Sequence, residues 1–345
     1  MFGRSAKSIK VQVFGKTDVG RSREHNEDRF LVADLTRKDA SLQPQVRQHD
    51  LGERGSLFVV ADGMGGAAAG ELASQMATDT IFAHLMKAWN AETEATPQRF
   101  AHRLKEAVEV ANANIHAHAK AHPEVRGMGT TTTAAGVLGD HLYLTQVGDS
   151  RAYLVRGGQA HQLTKDQSLM QRLVEAGELT EEEAARSERR NIILQALGPD
   201  PKVKVDLTHQ EVRRGDVLVL CSDGLSGQVK KEEIAQIVTQ ATDLATACDK
   251  LIALANARGG PDNITVVMAR FDGEGLRSSG GGQQEEVGHQ VYPLIDTETS
   301  TEPVPIYKGS RPPVPTKDTR PRLLTVVLAA LAAVAAVVWY FTRSR

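Results

Sequence analysis

The sequence is short of cysteine and of net charge, and each shortage narrows its function. Two cysteines in 345 residues, Cys221 and Cys248, make no disulfide framework and no Cys-x-x-Cys pair for zinc or redox work. They read as reduced thiols in a cytosolic domain. A formal net charge of −2 gives no whole-chain reason to expect nucleic acid as a partner. No internal repeat of about 20–50 residues is present. The N-terminus, Met1 to Lys7, lacks the apolar core of about 7–15 residues that a secretory signal needs. Histidine clusters are missing too. His116 and His118, two apart on an expected helix, point to different faces, and His84, His102 and His122 read as solvated surface.

What is present suits a folded globular protein. A hydrophobic fraction of 41% and a charged fraction of 24% are ordinary for a globular domain. Residues 8–272 alternate strand-like and helix-like stretches. Residues 273–322 hold Gly280-Gly281-Gly282 and several prolines, and read as a flexible linker that buries too little apolar area to offset chain entropy. Leu323 to Thr342 carries no charge and no proline. About twenty apolar residues at 1.5 Å rise span a bilayer core of roughly 30 Å. Arg320 and Arg322 precede it, Trp339 and Tyr340 sit near its far edge, and Arg343 and Arg345 follow, as interfacial anchors. The expectation is a single-pass helix inserted tail-first. With no signal to export it, the large N-terminal part would face the cytosol from the inner membrane.

Within residues 8–272, expected strands include Val11–Phe14, Ser56–Ala61, Thr130–Val137, His141–Val147, Arg151–Val155, Asp216–Cys221 and Ile264–Phe271. Expected helices cover Ala69–Met86, Pro97–Lys120, Lys165–Ala176, Glu232–Ile237 and Asp243–Arg258. Strands joined by hairpins, with helices grouped in pairs, indicate an α+β fold with antiparallel sheets.

Carboxylates recur at strand ends. The apolar run Leu57–Ala61 ends in Asp62-Gly63, Val217–Ser222 ends in Asp223-Gly224, and His141–Gly148 ends in Asp149. Pro261-Asp262-Asn263 precedes the last strand, and Glu27-Asp28 follows a basic loop. Each Asp-Gly alone is an ordinary turn. Together, such acids delivered by separate strands would repel unless hard divalent cations neutralised them, and oxygen ligands favour Mg²⁺ or Mn²⁺ over zinc. Gly63-Met64-Gly65-Gly66-Ala67-Ala68 also fits G-x-G-x-x-A between a strand and a helix, as in dinucleotide binding. That reading places Asp62 against a pyrophosphate and leaves Asp223 and Asp262 unexplained.

Arg23-Glu24-His25-Asn26-Glu27-Asp28, Ala61-Asp62-Gly63-Met64-Gly65-Gly66, Gly129-Thr130-Thr131, Gly148-Asp149-Ser150-Arg151, Cys221-Ser222-Asp223-Gly224-Leu225 and Gly260-Pro261-Asp262-Asn263-Ile264-Thr265 resemble, in order and approximate spacing, the protein phosphatase 2C (PP2C, PPM) family. The form is most similar to bacterial members that reverse Hanks-type Ser/Thr kinases. The resemblance covers about residues 8–272. It implies a four-layer αββα sandwich, with two central antiparallel sheets flanked by helix pairs. By motif position, Asp62, Asp223 and Asp262 would hold one ion. Glu27, Asp62 and the Gly63 carbonyl would hold another. Asp149 with Asp223 would offer a weaker third site. Arg23 would bind phosphate, and Asp28 and Asn263 would support the ligands.

The implied activity is hydrolysis of phosphoserine and phosphothreonine on proteins by water ionised between Mn²⁺ or Mg²⁺ ions, with Arg23, Asp62 and Asp223 central to catalysis. Cys221, in an apolar strand, reads as core. Animal members often carry histidine, a proposed general acid, where this chain has Met64, which cannot donate a proton. Residues 176–190 match the family's variable flap. Ser187 would lie toward the third ion, and Arg186, Arg189 and Arg190 would meet either phosphopeptide or solvent. The expected partners are phosphorylated proteins, a Ser/Thr kinase and the membrane, with a monomeric catalytic domain. The alternatives are a catalytically silent, membrane-tethered binding module and a phosphatase of a small metabolite.

Overall fold

The computed structural model describes residues 8–41, 47–278 and 287–294. The chain opens with β1 (Lys10–Asp18), β2 (Asp28–Asp34), β3 (Asp39–Ser41), β4 (Arg47–Asp50) and β5 (Ser56–Met64). Helices α1 (Ala67–His84) and α2 (Pro97–Ala121) follow. A strand series comes next: β6 (Gly129–Thr130), β7 (Thr132–Leu138), β8 (His141–Val147), β9 (Arg151–Arg156) and β10 (Gln159–Gln162). Then come α3 (Leu169–Glu175), α4 (Glu181–Arg186), β11 (Asp206–Glu211), β12 (Val217–Cys221), α5 (Asp223–Ser226), α6 (Lys231–Gln240), α7 (Leu244–Ala257) and β13 (Ile264–Asp272).

The strands form two antiparallel sheets. One has the order β10-β9-β12-β13-β1-β4, the other β11-β8-β7-β5-β2-β3 with β6 paired to β5. Side chains in a strand alternate between its faces, and both faces of the central strands are buried. In β5, Phe58 and Val60 enter the core between the sheets. Leu57, Val59 and Ala61 face α1 and α2 together with Ile81, Leu104 and Val108. In β13, Val267, Ala269 and Phe271 join the inter-sheet core, while Ile264, Val266 and Met268 pack with Leu251 and Ile252 of α7. Three stacked cores between four layers give the expected αββα sandwich.

Local chemistry sets the helix ends. Thr96 caps α2 by accepting from the Arg99 N–H, with Pro97 in the first turn, where its missing N–H costs nothing. The α3 helix is shorter than expected because Ser168 caps it from Gln171. Within the expected flap, residues Glu181–Arg186 form α4. Thr180 and Glu183 close a reciprocal capping box there, which satisfies two free N–H groups.

The expected linker needs correction at its start. Leu276 is buried in the inter-sheet core, and the Arg214 N–H donates to the Arg277 carbonyl at 2.9 Å. Residues 287–294 return to the free edge of β11. The His209 N–H donates to the Gln290 carbonyl at 2.9 Å and the Tyr292 N–H to the Leu207 carbonyl at 3.0 Å. Tyr292 and Leu294 pack against the helix-side core. Backbone pairing at an otherwise open edge and apolar burial outweigh the loop-like composition. The expected membrane span, 323–342, lies outside the described residues. Among the described residues, no helix is long and apolar enough to cross a membrane.

Candidate metal centre

The acidic residues gather at one end of the sandwich. Asp28 opens β2 and stands directly opposite Asp62 in β5. Like charges facing each other across an antiparallel pair are destabilising unless neutralised. From the other sheet, the Ser222 hydroxyl donates to Asp28 Oδ2 at 2.7 Å, and Ser222 precedes Asp223 at the start of α5. Asp262 and Asn263 lead into β13. Thr131 ties the β5 end down: the Asp62 N–H donates to Thr131 Oγ1 at 3.1 Å, and the Thr131 N–H donates to the Asp62 carbonyl at 2.8 Å.

Asn263 organises the Arg23–Asp28 loop. Its Oδ1 accepts from the Glu27 N–H at 2.8 Å. Its Nδ2 donates to the Val19 and His25 carbonyls, both at 2.9 Å. Glu27 in turn lies over Gly70 on α1, where an added Cβ would sit 1.8 Å from Glu27 Oε2. Gly63 continues the strand, its N–H donating to the Glu27 carbonyl at 3.2 Å. Arg23 reaches in from a half-exposed position, and its Nη2 donates to Asp262 Oδ2 at 2.8 Å.

The electrostatics show how closely the carboxylates are grouped. Asp62 and Asp223 keep partial solvent access, but the surrounding protein strips water from their carboxyl groups. Burial first, then the charges of Asp28, Asp223, Asp149 and Asp262, push the Asp62 pKa well above its ordinary value. Asp28 is pushed up to about 7 by burial, partly offset by the Ser222 hydroxyl. Burial and the Asp223 charge push Asp149 up to about 8. Burial and Asp262 raise Asp223, against a lowering hydrogen bond with Asp62. Glu27 is raised by burial, against the pull of Arg23.

Two buried oxygens, Asp28 Oδ1 and Asp223 Oδ1, have no hydrogen-bond partner. Orphaned buried carboxylate oxygens are costly, and in an all-oxygen setting they suit hard cations. Among the described residues, no three His, Cys, Asp or Glu side chains close around one point as a ready ligand cluster. Asp262 uses Oδ1 on the Asn263 N–H and Oδ2 on Arg23. The residues present fit divalent ions in kind.

Other expectations sort as follows. Met64 ends β5, half-buried, and offers no titratable group. The Ser187 hydroxyl accepts from the Arg189 N–H at 3.1 Å. Arg186, Arg189 and Arg190 are exposed. Cys221 and Cys248 are buried and free; burial pushes the Cys221 thiol up to about 12, as suits a core residue. His116 bonds to the Gly198 carbonyl, whereas His118 stacks on His122. His84 is not solvated as expected; it sits 3.3 Å from Glu106. Sequence reasoning passed over Ser222 and Thr131, which steady the acids. Both lie inside recognisable motifs, but only the fold reveals their hydrogen bonds.

The sequence pattern of the protein phosphatase 2C family matches residues 32–257. A serine/threonine phosphatase of Listeria monocytogenes is 38% identical over 258 residues, covering 74% of this chain and 94% of its own. The serine/threonine protein phosphatase PstP of Mycobacterium tuberculosis is 42% identical over 213 residues, and that match spans 40% of the longer protein. A crystal structure of the PstP catalytic domain in complex with two manganese ions superposes with a TM-score of 0.61 at 36% identity, covering 76% of this chain and 99% of that one. On sequence, fold and the placement of its acidic residues, the chain belongs to the protein phosphatase 2C family.

Proposed function

We propose that the chain hydrolyses phosphoserine and phosphothreonine on proteins, reversing a bacterial Ser/Thr kinase, at the acidic end of the sandwich. The observation that carries this reading is the grouping of acids around Asp62, whose pKa is raised by the charges of Asp28, Asp223, Asp149 and Asp262 as well as by burial. Asp62, Asp223 and Asp262 would hold one ion, and Glu27, Asp62 and the Gly63 carbonyl a second, with Asp62 shared. Asp149 with Asp223 would hold a third, weaker ion. Bound there, Mn²⁺ or Mg²⁺ supplies charge neutralisation and a water ionised near neutral pH. The chain's own part is to hold and orient. Asn263 fixes the loop carrying Glu27, and Ser222 fixes Asp28 between the sheets.

Arg23 presents a planar fork of donors, half-exposed and resting on Asp262. A phosphoryl group would draw it from Asp262 and be aligned by it. Met64 carries no proton, so the leaving oxygen would take its proton from water. The tail 323–342 would anchor the enzyme to the inner membrane with this domain in the cytosol.

Hydrolysis of a phosphothreonine peptide, assayed with Mn²⁺ beside sugar phosphates, tests the reading. The expected result is peptide preference that vanishes in Asp62→Ala and Asp223→Ala. Equal or greater activity on sugar phosphates favours a metabolite enzyme, and no activity at all favours a silent binding module. The same assay with Arg23→Ala should show KM raised about tenfold or more, as lost charge-assisted hydrogen bonds imply, with Mn²⁺ binding retained.

A further inference from the structure

The Gly148–Asp149 turn is held from outside by one side chain that no sequence motif singles out. Gln167 lies just before Ser168, the cap of α3 at the base of the flap. Its backbone N–H donates to the Gly148 carbonyl at 2.8 Å. Its side-chain Oε1 accepts from the Gly148 N–H at 3.0 Å. Gln167 thus pairs with both backbone groups of Gly148 as a strand partner would, its amide oxygen replacing a backbone carbonyl. The far side of the same amide is also engaged. Its Nε2 donates to Asp206 Oδ2 at 2.9 Å and to the Lys204 carbonyl at 3.2 Å. Its backbone carbonyl accepts from the Leu194 N–H, where the flap returns, at 2.7 Å.

The turn is held from inside as well. The Gln146 Nε2 donates to the Gly148 carbonyl at 3.0 Å and to the Ser150 carbonyl at 2.7 Å. Gly148 sits at φ +99° with Thr131 packed against it, a backbone state that side chains rarely adopt. A turn in such a state persists only when its surroundings over-determine it. Gln146 alone leaves the Gly148 N–H unanswered; Gln167 supplies that acceptor.

We infer that Gln167 is a positioning residue for Asp149, clamping the Gly148–Asp149 turn to both ends of the flap and so setting the affinity of the weaker third ion. This rests on the proposed role of Asp149. Movement of the flap would pull on Gln167 from Leu194 and α3, and would loosen the turn that presents Asp149. The two stronger ion sites, built on Glu27, Asp62, Asp223 and Asp262, do not pass through Gln167.

Calorimetric titration of the full chain with Mn²⁺, without substrate, separates these roles when paired with hydrogen exchange at the Gly148 amide. Asp149→Ala should remove the weak binding step and leave the strong ones. Gln167→Met should weaken that step about fivefold to tenfold, as loss of the side-chain amide's hydrogen bonds implies. It should leave the strong steps unchanged and speed exchange at Gly148. Gln167→Glu keeps an oxygen toward Gly148 but sets a second carboxylate oxygen against Asp206 and the Lys204 carbonyl, so like-charge repulsion should speed exchange at Gly148 at least as much as Gln167→Met. An unchanged weak step in both Gln167 variants overturns the inference. So does an equal weakening of every step with a lowered Tm, which marks a merely structural residue. If Asp149→Ala leaves the weak step intact, the third-ion role of Asp149 fails, and the inferred effect on ion affinity fails with it. Gly148 exchange still reports separately whether the clamp exists.

Discussion

Gly70 leaves open the space that the Glu27 carboxylate occupies, since a Cβ there would lie 1.8 Å from Glu27 Oε2. Gly70 is also inside α1, where alanine is favoured by about 0.8–1.0 kcal/mol. The two effects pull in opposite directions. Glu27 is a flexible side chain and can swing out, but the Gly63 backbone 3.0 Å from the same Cβ must also give, so Gly70→Ala should change the Tm of the metal-free protein little. The displaced ligand should weaken Mn²⁺ binding about tenfold, read by calorimetry. Parallel losses of Tm and Mn²⁺ affinity would show that Gly70 serves only packing. Of the candidate residues, those at strand ends were visible as apolar runs closed by an acid. The partners that hold them, Ser222 and Thr131, were not, because each bonds to a residue far away in sequence.

At the scale of elements, the central strands and paired helices were legible because their periodicities are long and both faces of the strands are apolar. Short edge pieces were not: β3, β4 and β10 have three or four residues each and too few alternations to register. β2 does not register because its apolar run, Phe30 to Ala33, is short and closed by charged residues at both ends. The segment 287–294 was misread for a different reason. Its glycine and proline suit a linker, and only the open edge of β11 gives it a partner. Tyr292 stacks edge-on with Tyr143 at 5.3 Å and with His209 at 5.2 Å. Such contacts add about 0.5–1.5 kcal/mol each. A chain ending after residue 278 should therefore melt several degrees lower than one ending after 294, and Tyr292→Ala should reproduce part of the loss. Equal Tm values would mean that the segment merely rests on the edge.

Across the whole molecule, two sheets and two helix layers bury apolar surface on every side, and that stability supports an acidic end that is unfavourable by itself. The cost has a definite pH dependence. Asp62 lies well above its ordinary value, Asp28 at about 7 and Asp149 at about 8, against a reference of 3.8 for each. The folded chain therefore binds more protons than the unfolded chain between these values, so stability falls as pH rises. The contribution of these groups is fully present below about pH 4 and is lost as pH climbs through 7 and 8. Ions that bind the ionised carboxylates of the folded state reverse that trend by mass action.

The direct measurement is thermal unfolding of the full chain from pH 5 to 8, with chelator and with Mn²⁺. The account predicts that the metal-free Tm declines toward pH 8, that Mn²⁺ raises it most at pH 8, and that Asp62→Ala flattens the decline and abolishes the Mn²⁺ effect. Superimposable curves with and without Mn²⁺ would contradict it.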